Sequence, residues 1–204
     1  MRKITINLAA VAAFCIVVAS PALVSSSCAT PKTEQEDTTI IREDSGITAL
    51  KYSSPEVPAS IEFCGKTIDL SRFDRHERMD RELLAFTYMH STSLQMLKKA
   101  NRYFPIVEPI LKENGIPDDF EYLMVIESNM NPTARSSAGA AGLWHFMQGT
   151  GRDYGLEVNN NVDERYHIEK ATRAACRYLK DAYAKYKDWV AVAASYNAGQ
   201  ARIA

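Results

Sequence analysis

Neither sign of charge dominates this chain: 24 lysines and arginines stand against 25 aspartates and glutamates in 204 residues, a formal net charge of −1. Neutralising nucleic-acid phosphates takes a basic surface, so this balance argues against nucleic acid as a main partner. Cysteine is scarce, and the four present, Cys15, Cys28, Cys64 and Cys176, show no metal-type spacing. The four histidines, His76, His90, His145 and His167, are dispersed, so no zinc site is expected. No heptad array or hydrophobic repeat runs along the chain. Gly149-Thr150-Gly151 is too short for a phosphate-binding fingerprint and follows no predicted strand. No cofactor is expected.

What is present is a hydrophobic fraction of 46%, enough for one buried core with tails. Residues 1–27 read as an export signal: Arg2 and Lys3 give the positive start, and an apolar run from Leu8 to Val24 is broken by Ser20 and Pro21. Ser25-Ser26-Ser27-Cys28 suggests a bacterial lipoprotein cleavage site with Cys28 as the lipidated residue, although a leucine is usual where Ser25 stands. Ordinary cleavage near Ala22 and an uncleaved anchor are the alternatives. All three put the rest of the chain outside the cytoplasm, in the periplasm, attached to the outer membrane if Cys28 is lipidated. Residues 28–59 are polar and aperiodic, and read as a flexible tether.

The next region, 60–104, should hold a short β-hairpin over 61–70 turning at Gly65, then a long helix. Met79, Leu83, Phe86, His90, Leu94 and Leu97 recur at helical spacing and predict one helix from about His76 to Arg102. His90 on that stripe reads as a hydrogen-bonded core histidine rather than a catalyst. Pro105 to Asn114 predicts a separate helix, stopped by Gly115, with Glu108 and Lys112 spaced to pair. Ile168, Ala171, Ala175, Tyr178, Leu179, Ala182 and Tyr186 form an apolar stripe, and Trp189 to Asn197 a last helix capped by Gly199. Export would permit a Cys64–Cys176 disulfide; a small buried thiol is the competing reading for Cys176. The fold class is mainly α.

One residue breaks the pattern. Pro117-Asp118-Asp119 opens a helix in which Phe120, Leu123, Met124 and Glu127 share one side. A carboxylate continuing an apolar stripe loses water and lies near the negative end of the helix dipole. Both effects favour the protonated acid, the form that breaking a glycosidic bond requires. The competing reading is a structural ion pair with Arg135, Arg152 or Arg173.

The motifs that follow weigh on that choice. Glu127-Ser128, Asn131-Pro132, Ser137-Ala138-Gly139-Ala140-Ala141-Gly142-Leu143, Gly151-Arg152-Asp153-Tyr154-Gly155-Leu156 and Ser195-Tyr196-Asn197-Ala198-Gly199 occur in order. Together they resemble the lytic transglycosylases with a goose-type-lysozyme-like catalytic domain, nearest to the membrane-bound D type. The resemblance covers 105–204 and implies a lysozyme-like helical globule acting on the glycan strands of peptidoglycan. It implies that Glu127 is the single acid/base, that Ser128 and Tyr196 orient the sugar or the carboxyl group, and that Met147 and Asn197 line the groove. Where the family usually has glutamine this chain has His145, a substrate-contact position whose hydrogen bonding is thereby altered. Family members usually continue past the motif with further helices, so the end at Ala204 reads as a truncated catalytic domain.

Trp144, Phe146 and Met147 are expected on a short helix after the loop of residues 129–141. Trp144 and Tyr154 could stack on sugar rings or belong to the core. Most glycosidases use two carboxylates, yet the motifs hold only Glu127; Asp153, Glu157, Asp163 and Glu164 are the nearest downstream acids. One acid suffices if the substrate attacks itself. The resemblance implies that route: cleavage between N-acetylmuramic acid and N-acetylglucosamine without water, giving an anhydromuramic product. Residue types alone leave lysozyme-like hydrolysis and a non-catalytic peptidoglycan-binding or scaffold role as alternatives.

Overall fold

The computed structural model describes residues 55–198. The expected export signal, Cys28, nearly all of the tether and Gly199 lie outside the described residues. The chain enters as an antiparallel hairpin, β1 (Ser60–Phe63) and β2 (Lys66–Asp69), with Ile61 opposite Ile68. Its two-residue turn has Cys64 at φ 49° and Gly65 at φ 74°, left-handed geometry that suits the twist of paired strands. Phe63 is buried in the main core, while Ile61 and Leu70 pack with Met79 and Leu83 in a smaller one.

Two helices follow in place of the single predicted helix: α1 (Phe73–Tyr88) and α2 (His90–Glu113). The break falls at Met89, whose ψ of 53° leaves the helical region. Ser93, buried, donates its hydroxyl across the break to the Phe86 carbonyl. His90 is exposed at the head of α2, so it is not a core histidine. The predicted restart at Pro105 does not occur, because α2 runs unbroken through Pro105 and Pro109. Both prolines are on the solvent face, where water can satisfy the carbonyls whose partners they remove.

A single 3-10 turn, Asp118–Phe120, leads into α3 (Glu121–Ser128). The Asp119 carboxylate accepts from the Cys64 backbone N–H at 2.7 Å and ties the hairpin turn to this entry. After a long loop come α4 (Gln148–Asp153), a 3-10 turn (Glu164–Tyr166), α5 (Ile168–Tyr186) and α6 (Trp189–Ala198). The expected stripe of α5 is its buried face: Ala171, Ala175, Leu179 and Ala182 are fully enclosed. It packs between α2 and α6. Phe104, Leu111, Phe120, Leu123, Met124 and Trp144 fill the centre. Cys64 and Cys176 are unpaired; the Cys176 thiol is buried against the Ile110 carbonyl, at 3.9 Å. Among the described residues no helix is long and apolar enough to cross a membrane.

Candidate active site

The candidate acid is placed by the way α3 ends. Asn129 and Met130 both take left-handed conformations, φ 54° and 51°. The Met130 N–H reaches back to the Met124 carbonyl at 3.0 Å and the Asn129 N–H to Val125 at 2.9 Å, so the left-handed pair closes off the helix end. Met130 plugs into the core, and Lys99 of α2 donates to the Asn129 carbonyl at 2.8 Å. The helix therefore stops one residue after Glu127, leaving its side chain in the last turn with 14% of its surface exposed.

No guanidinium meets that carboxylate among the described residues. Arg152 donates to the Val158 carbonyl and Arg173 pairs with Glu113. Arg135 lies towards Asp163. The neighbour is His145, with Nδ1 3.6 Å from Glu127 Oε2, a separation beyond an ordinary hydrogen bond. Burial raises the Glu127 pKa from its ordinary 4.5 to about 7. No second carboxylate contributes to that rise. Asp163 is held by Arg165, Glu164 by Lys170 and the Glu157 N–H, and Glu157 accepts from Asn159; Asp153 is exposed. The arrangement keeps a substantial share of the carboxyl protonated near neutral pH, and no carboxylate among the described residues contributes to its shift.

A raised carboxyl pKa does not by itself mark the site. Glu121, at the start of α3, rises to about 8 through burial, then through repulsion from Glu108, Asp118 and Asp119. Glu108 thus faces acids, and the ion pairs among the described residues do not include the expected Glu108–Lys112 contact.

The other expected site residues divide. Trp144 is not on a helix and is not a sugar platform: it is fully buried, and its indole N–H donates to the Thr172 hydroxyl at 3.0 Å. Its backbone carbonyl accepts the Tyr196 hydroxyl at 2.7 Å, which holds α6 over the loop. Burial, then the charge of Glu127, push the Tyr196 phenol well above its ordinary pKa, so it stays protonated and near the acid. Tyr154, partly buried, packs edge-on to Tyr178 at 5.3 Å, and Tyr178 packs on Tyr196 at 5.2 Å. Ser128 is buried and its hydroxyl donates to the Met124 carbonyl at 3.0 Å, which occupies its proton at the helix end. Met147, just before α4, is 45% exposed. The Asn197 side chain lies outside the described residues.

Sequence reading missed the group that holds the loop. Arg165 is 5% exposed, pairs in two-pronged fashion with Asp163, and donates to the carbonyls of Gly139 and Phe146 at 2.8 and 3.0 Å. Gly142, at φ 79°, packs so tightly on this segment that a Cβ there would sit 1.9 Å from the Arg165 carbonyl oxygen. Backbone bridges join Arg135 to Ala141 and Ala141 to Phe146. His145, at φ 53°, is held within that frame, its N–H donating to Gly142 at 3.1 Å. An Asp-x-Arg triplet was the only available sequence signal, and it is common at turns. Among the described residues no cluster of histidine, cysteine and carboxylate side chains could hold a metal ion.

A mainly helical globule with a small hairpin before it, ending a short helix on a half-buried acid, has the lysozyme-like architecture. Residues 105–204, just under half of the chain, match the Transglycosylase SLT domain. The chain is similar to the membrane-bound lytic murein transglycosylases D of Escherichia coli K12 and Escherichia coli O6:H1. Each is 30% identical over 128 residues, covering 62% of this chain and 27% of the relative. The chain thus spans about a quarter of the length of the curated relatives it matches.

Proposed function

We propose that the protein is a peptidoglycan lytic transglycosylase that cleaves the bond between N-acetylmuramic acid and N-acetylglucosamine without adding water. The observation that carries this reading is Glu127: largely buried, without an arginine or lysine partner among the described residues, and with a carboxyl pKa raised to about 7 by burial. Protonated Glu127 gives its proton to the bridging oxygen as the glycosidic bond breaks. The resulting carboxylate then takes the proton of the muramic C6 hydroxyl, whose oxygen closes onto the anomeric carbon. The acid is regenerated and the product is an anhydromuramic end. That no carboxylate among the described residues contributes to the Glu127 shift favours this route over one with a second acid close beside Glu127.

Tyr196 and His145 stand beside the acid, and Met147 and Tyr154 belong to the walls of the groove, with Asn197 following Tyr196 in sequence. Ser128 supports the helix end, and Trp144 supports Tyr196 from the core. The murein enzymes it resembles are named membrane-bound, and the N-terminal pattern supports the same for this chain: export, lipidation at Cys28 and a tether over 28–59 that lets the domain reach the glycan layer. Fatty-acid labelling lost in Cys28→Ser would support the anchor; undiminished labelling would remove it.

The deciding experiment is a product assay by mass spectrometry on purified cell wall. Anhydromuropeptides are expected, falling at least about a thousandfold in Glu127→Gln. Reducing-end muramic acid would make the protein a hydrolase. Sedimentation with peptidoglycan but no soluble product would make it a binding protein.

A further inference from the structure

Next to Met147 the surface opens into a polar cleft of about 350 Å³, lined among others by Arg135, Gly139, Gln148, Asn159, Asp163 and Arg165. Its charges do not cancel. Arg165 and Asp163 neutralise each other: both Asp163 oxygens accept from Arg165, and the remaining guanidinium nitrogen of Arg165 serves two backbone carbonyls. Arg135 is close enough to help lower the Asp163 pKa but makes no side-chain hydrogen bond or ion pair to a described residue. Neither does Gln148. The cleft thus carries one cation left over, with an amide beside it, and both groups can donate to an anion. A planar guanidinium suits a carboxylate in particular.

The position of this cation is rigidly linked to the candidate acid. Arg135 bridges Ala141, Ala141 bridges Phe146, and Phe146 adjoins His145, which stands 3.6 Å from Glu127. The buried Arg165 clamps the same frame from behind through Gly139 and Phe146.

We propose that the cleft at Arg135 and Gln148 binds a carboxylate carried by the glycan, and so selects which strands are cut. The inference rests on the transglycosylase reading of the site. Two groups on muramic acid supply that chemistry: the peptide substituent, which bears free carboxylates, and the lactyl ether, whose carboxylate is free only where the peptide has been removed.

The test compares the wild type, Arg135→Gln and Arg135→Lys on uncross-linked peptide-bearing strands and on amidase-stripped strands, at low and high salt. Arg135→Gln is expected to raise KM by roughly threefold to tenfold, the size of an exposed charge-assisted contact, with the effect falling on KM rather than kcat. Arg135→Lys should recover part of the loss. The KM of the wild type should rise with salt more steeply than that of Arg135→Gln. A loss confined to peptide-bearing strands assigns the carboxylate to the peptide, and one confined to stripped strands assigns it to the lactyl group. A KM within twofold of wild type on both substrates overturns the proposal. If the wild type yields no anhydro product, the transglycosylase reading fails instead. Sedimentation with both strand types then tests the cleft: weaker binding by Arg135→Gln supports it, and equal binding overturns it.

Discussion

His145 Nδ1 stands 3.6 Å from Glu127 Oε2, both side chains mostly out of water. A neutral imidazole at that distance leaves the carboxyl protonated; an imidazolium would pull it towards the carboxylate. Tyr196, which feels the charge of Glu127, stays neutral because burial raises its pKa.

The first prediction follows from that pair. Replacing His145 by Gln keeps a polar side chain but removes the ionisable ring. The pH profile of kcat/KM should extend to lower pH, with activity at pH 5 relative to pH 7 rising severalfold. An unchanged profile shape, whatever the absolute rate, would show that the imidazole does not act on Glu127.

Stability should change with pH through two acids. The folded pKa of Glu127 is raised to about 7 and that of Glu121 to about 8, both above the ordinary 4.5. A raised carboxyl pKa means that ionisation opposes folding. The cost is absent below about pH 4.5, grows as pH rises, and is complete only above the folded pKa. Glu127→Gln should thus gain roughly 2–3 kcal/mol over wild type at pH 8.5 and little at pH 4, read by urea denaturation. Glu121→Gln should gain at least as much, since its shift is larger, while keeping activity. Equal stabilities at both pH values would refute the burial of these groups.

The loop frame makes a steric prediction. A Cβ at position 142 would collide with the Arg165 carbonyl at 1.9 Å, and φ 79° is itself unfavourable for alanine. Gly142→Ala should cost about 3 kcal/mol or more and lower Tm, with product formation falling further than the folded fraction does. Gly149, with nothing near its Cβ position, is the control: Gly149→Ala should leave stability within about 0.5 kcal/mol.

Trp144 tests the link between core and site. Thr172→Val removes the acceptor of its buried indole N–H while keeping the shape, and should cost roughly 1–3 kcal/mol by thermal denaturation. An indole serving as a sugar platform would lose substrate affinity in that variant; the core position predicts an unchanged KM.

Much of this molecule was legible one element at a time. The α5 stripe is the face that is buried, the hairpin turns at Cys64-Gly65, and Glu127 continues the apolar side of α3. The helix boundaries around Met89 and Pro105 were not legible. Leu94 is 58% exposed although it keeps the stripe's spacing, and the two prolines cost little because their side of α2 faces water. Both facts depend on what packs against the helix, which no periodicity records.

The same division runs through the candidate site. Residue order alone determined which acid sits on an apolar face and which motifs follow it, because spacing along a helix and turn chemistry are local. Among the described residues, the tertiary structure decided that no arginine reaches Glu127, that Trp144 points into the core, that Arg165 clamps the loop, and that Arg135 is left with unshared charge. These are pairings between segments far apart in the chain. They depend on which groups folding brings within a few ångströms, where burial and charge act, and neighbours in sequence carry no information about that.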